Sequence, residues 1–438
     1  MKFRYIIPVL FLAVFALAIW FGVRSLGGAP AAEATPAATA SSAPGPTAPP
    51  SPDPEPTPTP DPAAEALAAL TVEQKVGQLL VAGISGLEPG EDGAQAVRDY
   101  QVGGVILFGR NVESAGQLTE LTNGLKALNG DHIPLFLSVD QEGGRVDRMP
   151  PEVTDLPAAY QFGQISDPDL RMDACFELGQ TLAEQCAAFG FNLDFAPVMD
   201  IWSNPDNTVI GDRAFGADLE SVTYAANETA WGILSGGVIA AAKHFPGHGD
   251  TAVDSHYGLP VVDKSLKELR EFELVPFRQA IENTCVYGAY AGDSAIPVIM
   301  VSHILMTAID SDRPASLSEP VVTGLLREEL GFDGVVCTDD LTMAAVSDSY
   351  GMGEAAVLAV EAGCDLLLVC HGADNLAAAR DALLAAVESG RISMERLDES
   401  VYRILALKEA YCLTNAPVSD PDVDALNARI EALAARLG

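Results

Sequence analysis

The sequence predicts an α/β fold, a TIM-like (β/α)8 barrel with a C-terminal helical extension, and three observations support this prediction. Eight short apolar runs alternate with helical patterns, which is typical of parallel strands joined by crossover helices. Six of the runs end in a residue capable of chemistry, as expected where an active site forms at the C-terminal ends of barrel strands. With 438 residues, of which 48% are hydrophobic, the chain is long enough to bury one large core.

The predicted strands are continuous apolar runs, the pattern of strands that are buried on both faces. An open doubly wound sheet is the alternative, but no Gly-x-Gly-x-x-Gly pattern follows an early strand. Helical patterns at 169–189, 265–282 and 319–330 predict crossover helices, and those at 393–410 and 420–437 predict two amphipathic C-terminal helices. The strands are expected at 78–82, 103–108, 134–140, 193–200, 238–244, 298–303, 334–339 and 365–371.

The N-terminal region predicts an exported protein. Basic residues precede an apolar run at 5–23, which is long enough to cross a bilayer as a helix. This arrangement predicts an extracytoplasmic location, either anchored in the cell membrane or secreted. The expected divisions of the chain are a signal anchor or signal peptide at 1–28, a Pro-, Ala- and Thr-rich disordered linker at 29–62, the barrel at 63–413 and a C-terminal helix at 414–438.

Composition excludes several classes of partner and site. The 61 acidic and 25 basic side chains give a formal net charge of −36, so the surface repels phosphate backbones and nucleic acid is not an expected partner. The seven cysteines include no pair with Cys-x-x-Cys spacing, which argues against a zinc site or a disulfide framework. Most are expected to be small buried side chains. We expect no cofactor or metal, and a monomer.

The segment at 241–260 concentrates residues capable of chemistry, with three of the six histidines. One interpretation is a metal site, but the spacing matches no zinc motif. The other is an acid–base pair, in which the carboxylate of Asp254 binds one imidazole nitrogen of His256 and leaves the other free to protonate a leaving group. The chemically capable residues of the segment are Lys243, His244, His248, Asp250, Asp254 and His256.

A carboxylate at the end of the seventh predicted strand suggests covalent chemistry. Asp339 stands where it can attack an anomeric carbon and form a glycosyl-enzyme. The neighbouring Asp340 is better explained as a cap of the next helix. At other strand ends, Asp200, His303 and His371 fit either catalytic residues or polar groups at the barrel rim.

These motifs resemble those of the family 3 glycoside hydrolases, in the single-domain β-N-acetylglucosaminidase branch. The Lys-His-Phe-Pro-Gly-His-Gly-Asp-Thr motif that starts at Lys243, with the Asp-Ser-His that follows it, is highly specific to this branch. The matching segments lie in family order over most of the barrel, at 139–146, 192–200, 212–216, 243–260 and 338–343.

The resemblance implies a role for each matching residue. Asp339 would be the nucleophile, and His256, supported by Asp254, would be the general acid/base in place of the second carboxylate of most glycosidases. Asp140 would accept hydrogen bonds from sugar hydroxyls. The remaining substrate-binding candidates are Arg213, Lys243 and His244, which would hold the sugar, Arg145, which would pair with a carboxylate, and His248, which would shape the loop.

The resemblance also implies an activity, that of a retaining, exo-acting β-N-acetylglucosaminidase. Its substrate would be a glycan with terminal β-linked N-acetylglucosamine, from peptidoglycan fragments or chito-oligosaccharides. A histidine acid is neutral after it gives up its proton, so a phosphorylase that uses phosphate in place of water is an alternative. A β-glucosidase of the same family and a non-catalytic surface sugar-binding protein are further alternatives. The presence of Asp339, Asp254 and His256 argues against these last two.

Overall fold

Eight parallel strands form a ring in the computed structural model, which describes residues 61–251, 255, 258–282 and 296–437. Two further short strands pair with each other in a separate parallel sheet. In chain order the strands are β1 (Leu80–Gly83), β2 (Gly104–Leu107), β3 (Phe136–Val139), β4 (Leu193–Asp194), β5 (Ile239–Phe245), β6 (Val261–Val262), β7 (Val298–Val301), β8 (Leu305–Met306), β9 (Val335–Thr338) and β10 (Leu367–Val369).

Backbone pairing closes the ring into a barrel. The strand order is β10-β1-β2-β3-β4-β5-β7-β9, and every neighbouring pair is parallel. Between β9 and β10, Cys337 pairs with Leu366, and the backbone N–H of Thr338 donates to the carbonyl of Leu366 at 2.9 Å. The predicted (β/α)8 barrel is therefore confirmed, and each of the eight predicted apolar runs overlaps one barrel strand.

Strand β4 is shorter than the run predicted at 193–200, because Pro197 has no backbone N–H to donate to a sheet ladder. The carbonyl of Pro197 still accepts from the N–H of Lys243 at 3.2 Å, and Val198 pairs with Lys243 in an isolated bridge. The segment after β4 therefore follows β5 irregularly and carries Asp200 to the C-terminal rim of the barrel.

Helices surround the barrel and begin where the sequence supplies caps. Side chains of Asp61, Asp167 and Ser393 accept backbone N–H groups of the first turn, and Ser265 forms a reciprocal capping box with Glu268. In chain order the α-helices are α1 (Pro62–Ala69), α2 (Val72–Gln78), α3 (Gly90–Ala94), α4 (Ala115–Asn129), α5 (Ala159–Gly163), α6 (Pro168–Ala188), α7 (Leu219–Ser235), α8 (Leu266–Glu271), α9 (Val275–Glu282), α10 (Ala344–Ser347), α11 (Met352–Ala362), α12 (Ala373–Glu388), α13 (Met394–Ala410) and α14 (Val423–Ala434).

Two predicted helices differ in detail from the observed ones. The helix predicted at 265–282 is divided into α8 and α9, because Pro276 is tolerated in the first turn of a helix but not in its interior. The helix predicted at 319–330 is present as the π-helical segment Pro320–Glu329. A second π-helical segment, Gln95–Asp99, continues from α3. Short 3-10 turns lie at Gly109–Asn111, Gly211–Arg213, Ala315–Leu317 and Ala435–Leu437.

The C-terminal helix α14 packs its apolar stripe on the barrel. Leu426, Ile430 and Leu433 are buried and belong to the main hydrophobic core. Beyond the helix, Arg436 forms an ion pair at 2.5 Å with Glu177 of α6. The stripe at helical spacing is therefore a packing face, as predicted.

The predicted character of the cysteines is confirmed for most of them. Five of the six cysteines in the described part of the chain are buried, and Cys412 is exposed. Within the same described ranges, no helix has the length and apolar character needed to cross a bilayer. The predicted membrane segment at 5–23 and the residues Asp254 and His256 lie outside the described residues.

A buried lysine lies beneath the barrel. Lys408 is 4% exposed, and its Nζ donates at 2.8 Å both to Gln78 Oε1 and to the carbonyl oxygen of Gly103. The Nζ also lies 4.7 Å from the centre of the Phe136 ring. Burial lowers the pKa of Lys408 to about 7, because a low-dielectric environment disfavours the charged form.

We predict that replacing Lys408 with Met flattens the dependence of stability on pH. Between pH 7 and pH 10 the unfolded chain carries a proton on Lys408 that the folded chain lacks, so the free energy of unfolding rises with pH. One pKa unit corresponds to about 1.4 kcal/mol, so the wild type should gain roughly 3 kcal/mol between pH 7.5 and pH 9.5 beyond Lys408→Met.

Denaturant unfolding at both pH values measures this difference. Lys267→Met is the matched control, because the Lys267 side chain is 80% exposed. An equal pH slope in the wild type and in Lys408→Met would show that Lys408 does not titrate in this way.

Candidate active site

A pocket of 480 Å³ opens at the C-terminal ends of the barrel strands, where the sequence predicts the active site. This volume lies in the range of roughly 300–1,000 Å³ that is common for small-molecule sites. Six predicted site residues line it, with both polar and apolar neighbours. The lining residues from these strand ends are Ile106, Asp140, Glu142, Lys243, His244, Met300, Asp339, Leu368, Cys370 and His371, and the loops add Arg148, Arg213, His248 and Ser255.

Two cations and two carboxylates form a buried network at one side of the pocket. Lys243 Nζ lies 2.6 Å from Asp140 Oδ1 and 2.6 Å from Glu142 Oε1. Arg213 donates twice to Glu142, from Nε at 2.8 Å and from Nη2 at 2.7 Å. Burial alone would raise the pKa of Glu142, but Arg213 and Lys243 hold it far below the usual range. The network therefore brings two cations and two carboxylates together, with balanced formal charge.

His244 is oriented by a second buried carboxylate. Its Nδ1 lies 2.6 Å from Asp200 Oδ2, and its Nε2 lies 3.4 Å from Arg213 Nη2. Because a guanidinium only donates, the contacts fit a neutral ring that donates from Nδ1 and accepts at Nε2. Burial opposes ionisation of Asp200, yet His244 and the backbone N–H of His248 lower its pKa. Asp200 therefore supports a pocket residue and does not itself line the pocket.

His248 shapes the loop after β5, which is the role predicted for it. Thr251 Oγ1 lies 2.8 Å from His248 Nδ1, and Ser255 Oγ lies 3.4 Å from His248 Nε2. The side chain of Asn207 donates to the His248 carbonyl at 2.8 Å. Burial lowers the pKa of His248, so this ring is neutral at neutral pH. The histidine ties the loop to the segment around Asn207 while one face contributes to the pocket.

Asp339 follows β9 and lies partly exposed in the pocket. Its backbone N–H donates to the Val301 carbonyl at 2.9 Å, and its Oδ1 accepts from the Asp340 N–H at 2.8 Å. Its Oδ2 accepts no hydrogen bond from the residues that the structure describes. Burial raises the pKa of Asp339, but the side chains of His303 and His244, the backbone N–H of Asp340 and the cation Lys243 outweigh this effect and lower it. An ionised carboxylate with a free oxygen is suited to nucleophilic attack.

His303 and Asp340 stabilise the turn that carries Asp339. His303 Nε2 lies 2.9 Å from the Asp340 carbonyl, which can only accept, so this nitrogen donates and Nδ1 accepts from Ser316 Oγ at 2.7 Å. Asp340 Oδ1 accepts from the backbone N–H groups of Thr342 and Cys370, each at 3.0 Å. The prediction that Asp340 caps the next helix is therefore wrong, because its side chain binds turn backbone and α10 begins after Met343 without a side-chain cap.

His371 lies at the rim of the pocket. Its side chain is 59% exposed, and its ring stacks on Phe108 with the ring centres 5.8 Å apart. The guanidinium of Arg110 lies 4.4 Å from the centre of the same Phe108 ring. The rings of His371 and Phe108 and the guanidinium of Arg110 therefore place planar groups beside the opening of the pocket.

Arg145 is the one described substrate-binding candidate that does not line the pocket. Its Nε pairs with Asp212 Oδ1 at 3.0 Å, which is the carboxylate contact that the sequence suggests. Its Nη2 donates to the carbonyls of Val209 and Ile210, both at 2.7 Å. Arg145 therefore fixes a loop whose Val209 and Ile210 line the pocket, and it reaches the site only through that loop.

The pocket residues absent from the predicted set include two charged side chains, Glu142 and Arg148. Arg148 lines the pocket, donates from Nη1 to the Asp147 carbonyl at 3.1 Å, and has a buried Nε without a partner among the described residues. The positions of both side chains depend on one turn of the backbone. Gly143 and Gly144 have positive φ angles of 79° and 57°, and a Cβ on Gly144 would lie 2.7 Å from the Cβ of Ala158. The paired glycines are the sequence signal that the chain reverses here.

The comparison with protein families identifies the chain. Residues 71–407 match the family model described as the glycosyl hydrolase family 3 N-terminal domain. The chain belongs to glycosyl hydrolase family 3. The family and the glycoside hydrolase class that the sequence predicts are thereby confirmed.

Curated relatives and solved structures of this family carry related names. The chain is 36% identical over 313 residues to a β-hexosaminidase of Nitrosomonas eutropha, covering 70% of this chain and 86% of that protein. It is 38% identical over 300 residues to a β-hexosaminidase of Neisseria meningitidis serogroup C, covering 68% of this chain and 79% of that protein. The structure of a family 3 β-N-acetylglucosaminidase from Paenibacillus sp. is 43% identical, with a TM-score of 0.77, and the match covers 84% of this chain and 69% of that one.

We predict that Glu142→Gln destabilises the protein by about 3–5 kcal/mol, because it leaves Arg213 and Lys243 as buried cations with one carboxylate between them. The pKa of Glu142 is lowered in the folded state, so its stabilisation is complete above the ordinary glutamate pKa of about 4.3 and is lost as the pH falls below that value. The difference between wild type and variant should therefore shrink in acid.

Denaturant unfolding at pH 7 and at pH 4 tests both parts of this prediction. Glu120→Gln, at an exposed position of α4, is the control and should change stability by less than about 0.5 kcal/mol. A Glu142→Gln variant as stable as the control at pH 7 would contradict the assignment of charges in the network.

Proposed function

We propose that the protein is a retaining, exo-acting β-N-acetylglucosaminidase that hydrolyses terminal β-linked N-acetylglucosamine. The observation that carries the proposal is Asp339, an ionised carboxylate with a free oxygen in a pocket of 480 Å³. Groups able to bind hydroxyls line the same pocket, and the relatives named β-hexosaminidase support the choice of an acetamido sugar. A pocket of this size takes a terminal sugar, which favours exo action.

In the proposed first step, Asp339 attacks the anomeric carbon of the terminal sugar. The bond to the leaving oxygen breaks while His256 gives that oxygen a proton, and the sugar is left as a covalent ester on Asp339. In the second step His256 takes a proton from water, and the water oxygen attacks the anomeric carbon and releases Asp339. Two inversions give net retention of the β configuration.

The charged network is proposed to hold the sugar during both steps. Asp140 is partly exposed and its Oδ1 already binds Lys243, so its remaining lone pairs are available to accept from sugar hydroxyls. Arg148 lines the same pocket, and its Nε has no hydrogen-bond acceptor among the described residues. Because Lys243 and Arg213 are paired with carboxylates, they act on the sugar as fixed donors in a pre-organised site, which costs little rearrangement during the reaction.

The pair Asp254 and His256 stays a prediction, since both residues lie outside the described part of the chain. Its support is the position of Ser255 between them. Ser255 lies in the pocket lining, is 2% exposed, and its carbonyl accepts from the Ala345 N–H at 3.2 Å. The chain therefore meets the pocket at Ser255, the residue between the two members of the proposed pair.

We also propose an extracytoplasmic location, with attachment to the membrane through residues 1–28 and a spacer at 29–62. This proposal rests on the basic and apolar N-terminal pattern of the sequence. Outside the cell, water is abundant and phosphate is scarce, which favours hydrolysis over phosphorolysis. Peptidoglycan fragments fit that location, as do chito-oligosaccharides.

We predict that Asp339→Ala lowers kcat on an aryl β-N-acetylglucosaminide at least about 1,000-fold, because no other described carboxylate can take its place in the pocket. The measurement is aryl release by the purified full chain. Asp374→Asn, at an exposed position on α12, should keep wild-type activity.

A slow fluorinated substrate supplies a second readout, since it should leave the sugar attached to Asp339 and raise the mass of the peptide that contains it. Loss of activity in Asp339→Ala with labelling of a different residue would show that the nucleophile is misassigned. Formation of the sugar 1-phosphate when phosphate is present would show that the enzyme is a phosphorylase and would contradict the proposed hydrolysis.

We predict that His256→Ala slows natural disaccharides about 100- to 10,000-fold but slows aryl glycosides with good leaving groups much less. Good leaving groups need little protonation, so they bypass the acid. The test compares kcat/KM for chitobiose with that for a dinitrophenyl β-N-acetylglucosaminide. Equal losses on the two substrates would count against His256 as the acid.

A further inference from the structure

A second buried aspartate lies directly behind the charged network. Asp194 is the last residue of β4 and is 0% exposed. Its Oδ1 accepts from the backbone N–H of Gln141 at 2.9 Å. Its Oδ2 is buried without a hydrogen bond from any residue in the described part of the chain. The mechanism above makes no use of this side chain.

The charge balance around Asp194 leaves no cation for it. Lys243 and Arg213 are already paired with Asp140 and Glu142 at 2.6 to 2.8 Å. A third carboxylate would therefore be a buried charge without a partner, and such groups take up a proton instead. Burial raises the pKa of Asp194 well above its usual range, and Asp140 and Glu142 add to this effect, although the backbone N–H of Gln141 and the charge of Lys243 oppose it.

The other neighbour of Asp194 is uncharged as well. The thiol of Cys186 is fully buried, and burial together with Asp194 raises its pKa well above the usual range. A neutral thiol supplies no positive charge to balance an ionised Asp194. Cys186, Lys243, Asp140 and Glu142 are the titratable groups that face the Asp194 side chain.

Because Asp194 binds Gln141, it affects the positions of three pocket residues, Asp140, Glu142 and Arg148. Gln141 stands between Asp140 and Glu142, so its backbone sets where these two carboxylates lie. Its side chain accepts from the backbone N–H of Arg148 at 2.8 Å and donates to Gln185 Oε1 at 3.0 Å. A displacement of Gln141 would therefore shift both ends of the turn that lines the pocket.

We propose that Asp194 is a positioning residue that acts as a neutral carboxylic acid and, through Gln141, holds Asp140, Glu142 and Arg148 in place for binding the sugar. It does not touch the substrate. The kinetic part of this inference rests on the proposed function, whereas the protonation state of Asp194 does not. Asp200 is the natural contrast, since it is equally buried but accepts from His244 and His248 and is ionised.

The test compares Asp194→Asn, Asp194→Ala and Asp200→Asn in the full chain. An asparagine reproduces both the acceptor and the donor of a protonated carboxyl, so Asp194→Asn should keep kcat and KM within about 3-fold and keep the wild-type pH profile. Asp194→Ala should raise KM about 10-fold or more with a smaller change in kcat, as expected when uniform binding is weakened. Asp200→Asn should lose activity although its substitution is equally conservative.

Infrared spectroscopy gives a readout that needs no activity. At pH 7 the wild type should show the carbonyl stretch of protonated carboxylic acids, part of which disappears in Asp194→Asn and stays in Asp200→Asn. Thermal melts separate misfolding from mispositioning, and Asp194→Asn keeps the test valid if Asp194→Ala fails to fold. An unchanged infrared band in Asp194→Asn would overturn the proposal. A rise in KM in Asp194→Asn as large as that in Asp194→Ala would also overturn it. A normal KM in a folded Asp194→Ala would do so too.

Discussion

The ion pairs of Glu142 hold together three segments that are far apart in the sequence. Glu142 follows β3, Lys243 belongs to β5, and Arg213 lies in a 3-10 turn between them. Each of the three groups would be costly to bury alone, and together they balance their charges. The rest of the pocket depends on this arrangement, because the same cations fix Asp140 and lie beside His244.

Neighbouring groups, more than residue type, decide what each acidic side chain does. Asp200 accepts three N–H groups and serves His244. Among the described residues, Asp339 Oδ2 meets no donor, whereas both oxygens of Asp340 accept from turn backbone N–H groups and the Thr342 hydroxyl. Asp194 pairs with no cation in the part of the chain that the structure describes. These four aspartates thus differ in what they do, because each one meets different hydrogen-bond donors and charges.

The sequence was sufficient for the barrel because its signal is local. A run such as the one around Val298 is apolar on both faces, which fits only a strand covered on each side. The strand β4, which falls clearly short of its predicted length, ends three residues before Pro197. Site residues that stand at strand ends, such as Asp339 and Lys243, could be predicted for the same reason, since the barrel brings those ends together.

The remainder of the site could not be predicted, because it depends on partners distant in the chain. Arg145 and Arg148 are three residues apart and chemically identical, and the reversal at Gly143 and Gly144 decides which of them faces the pocket. Glu142 stands in a matched motif, yet only its contacts with Lys243 and Arg213 reveal its role.

By itself the sequence determined the parallel barrel, the family and the strand-end candidates, because periodicity and motif spacing are properties of short segments. Only the tertiary structure decided which carboxylates are paired, which are free and which lack a cation. Those properties arise from electrostatic contacts that act over a few ångströms between residues 53 to 103 positions apart, and they exist only once the barrel has closed.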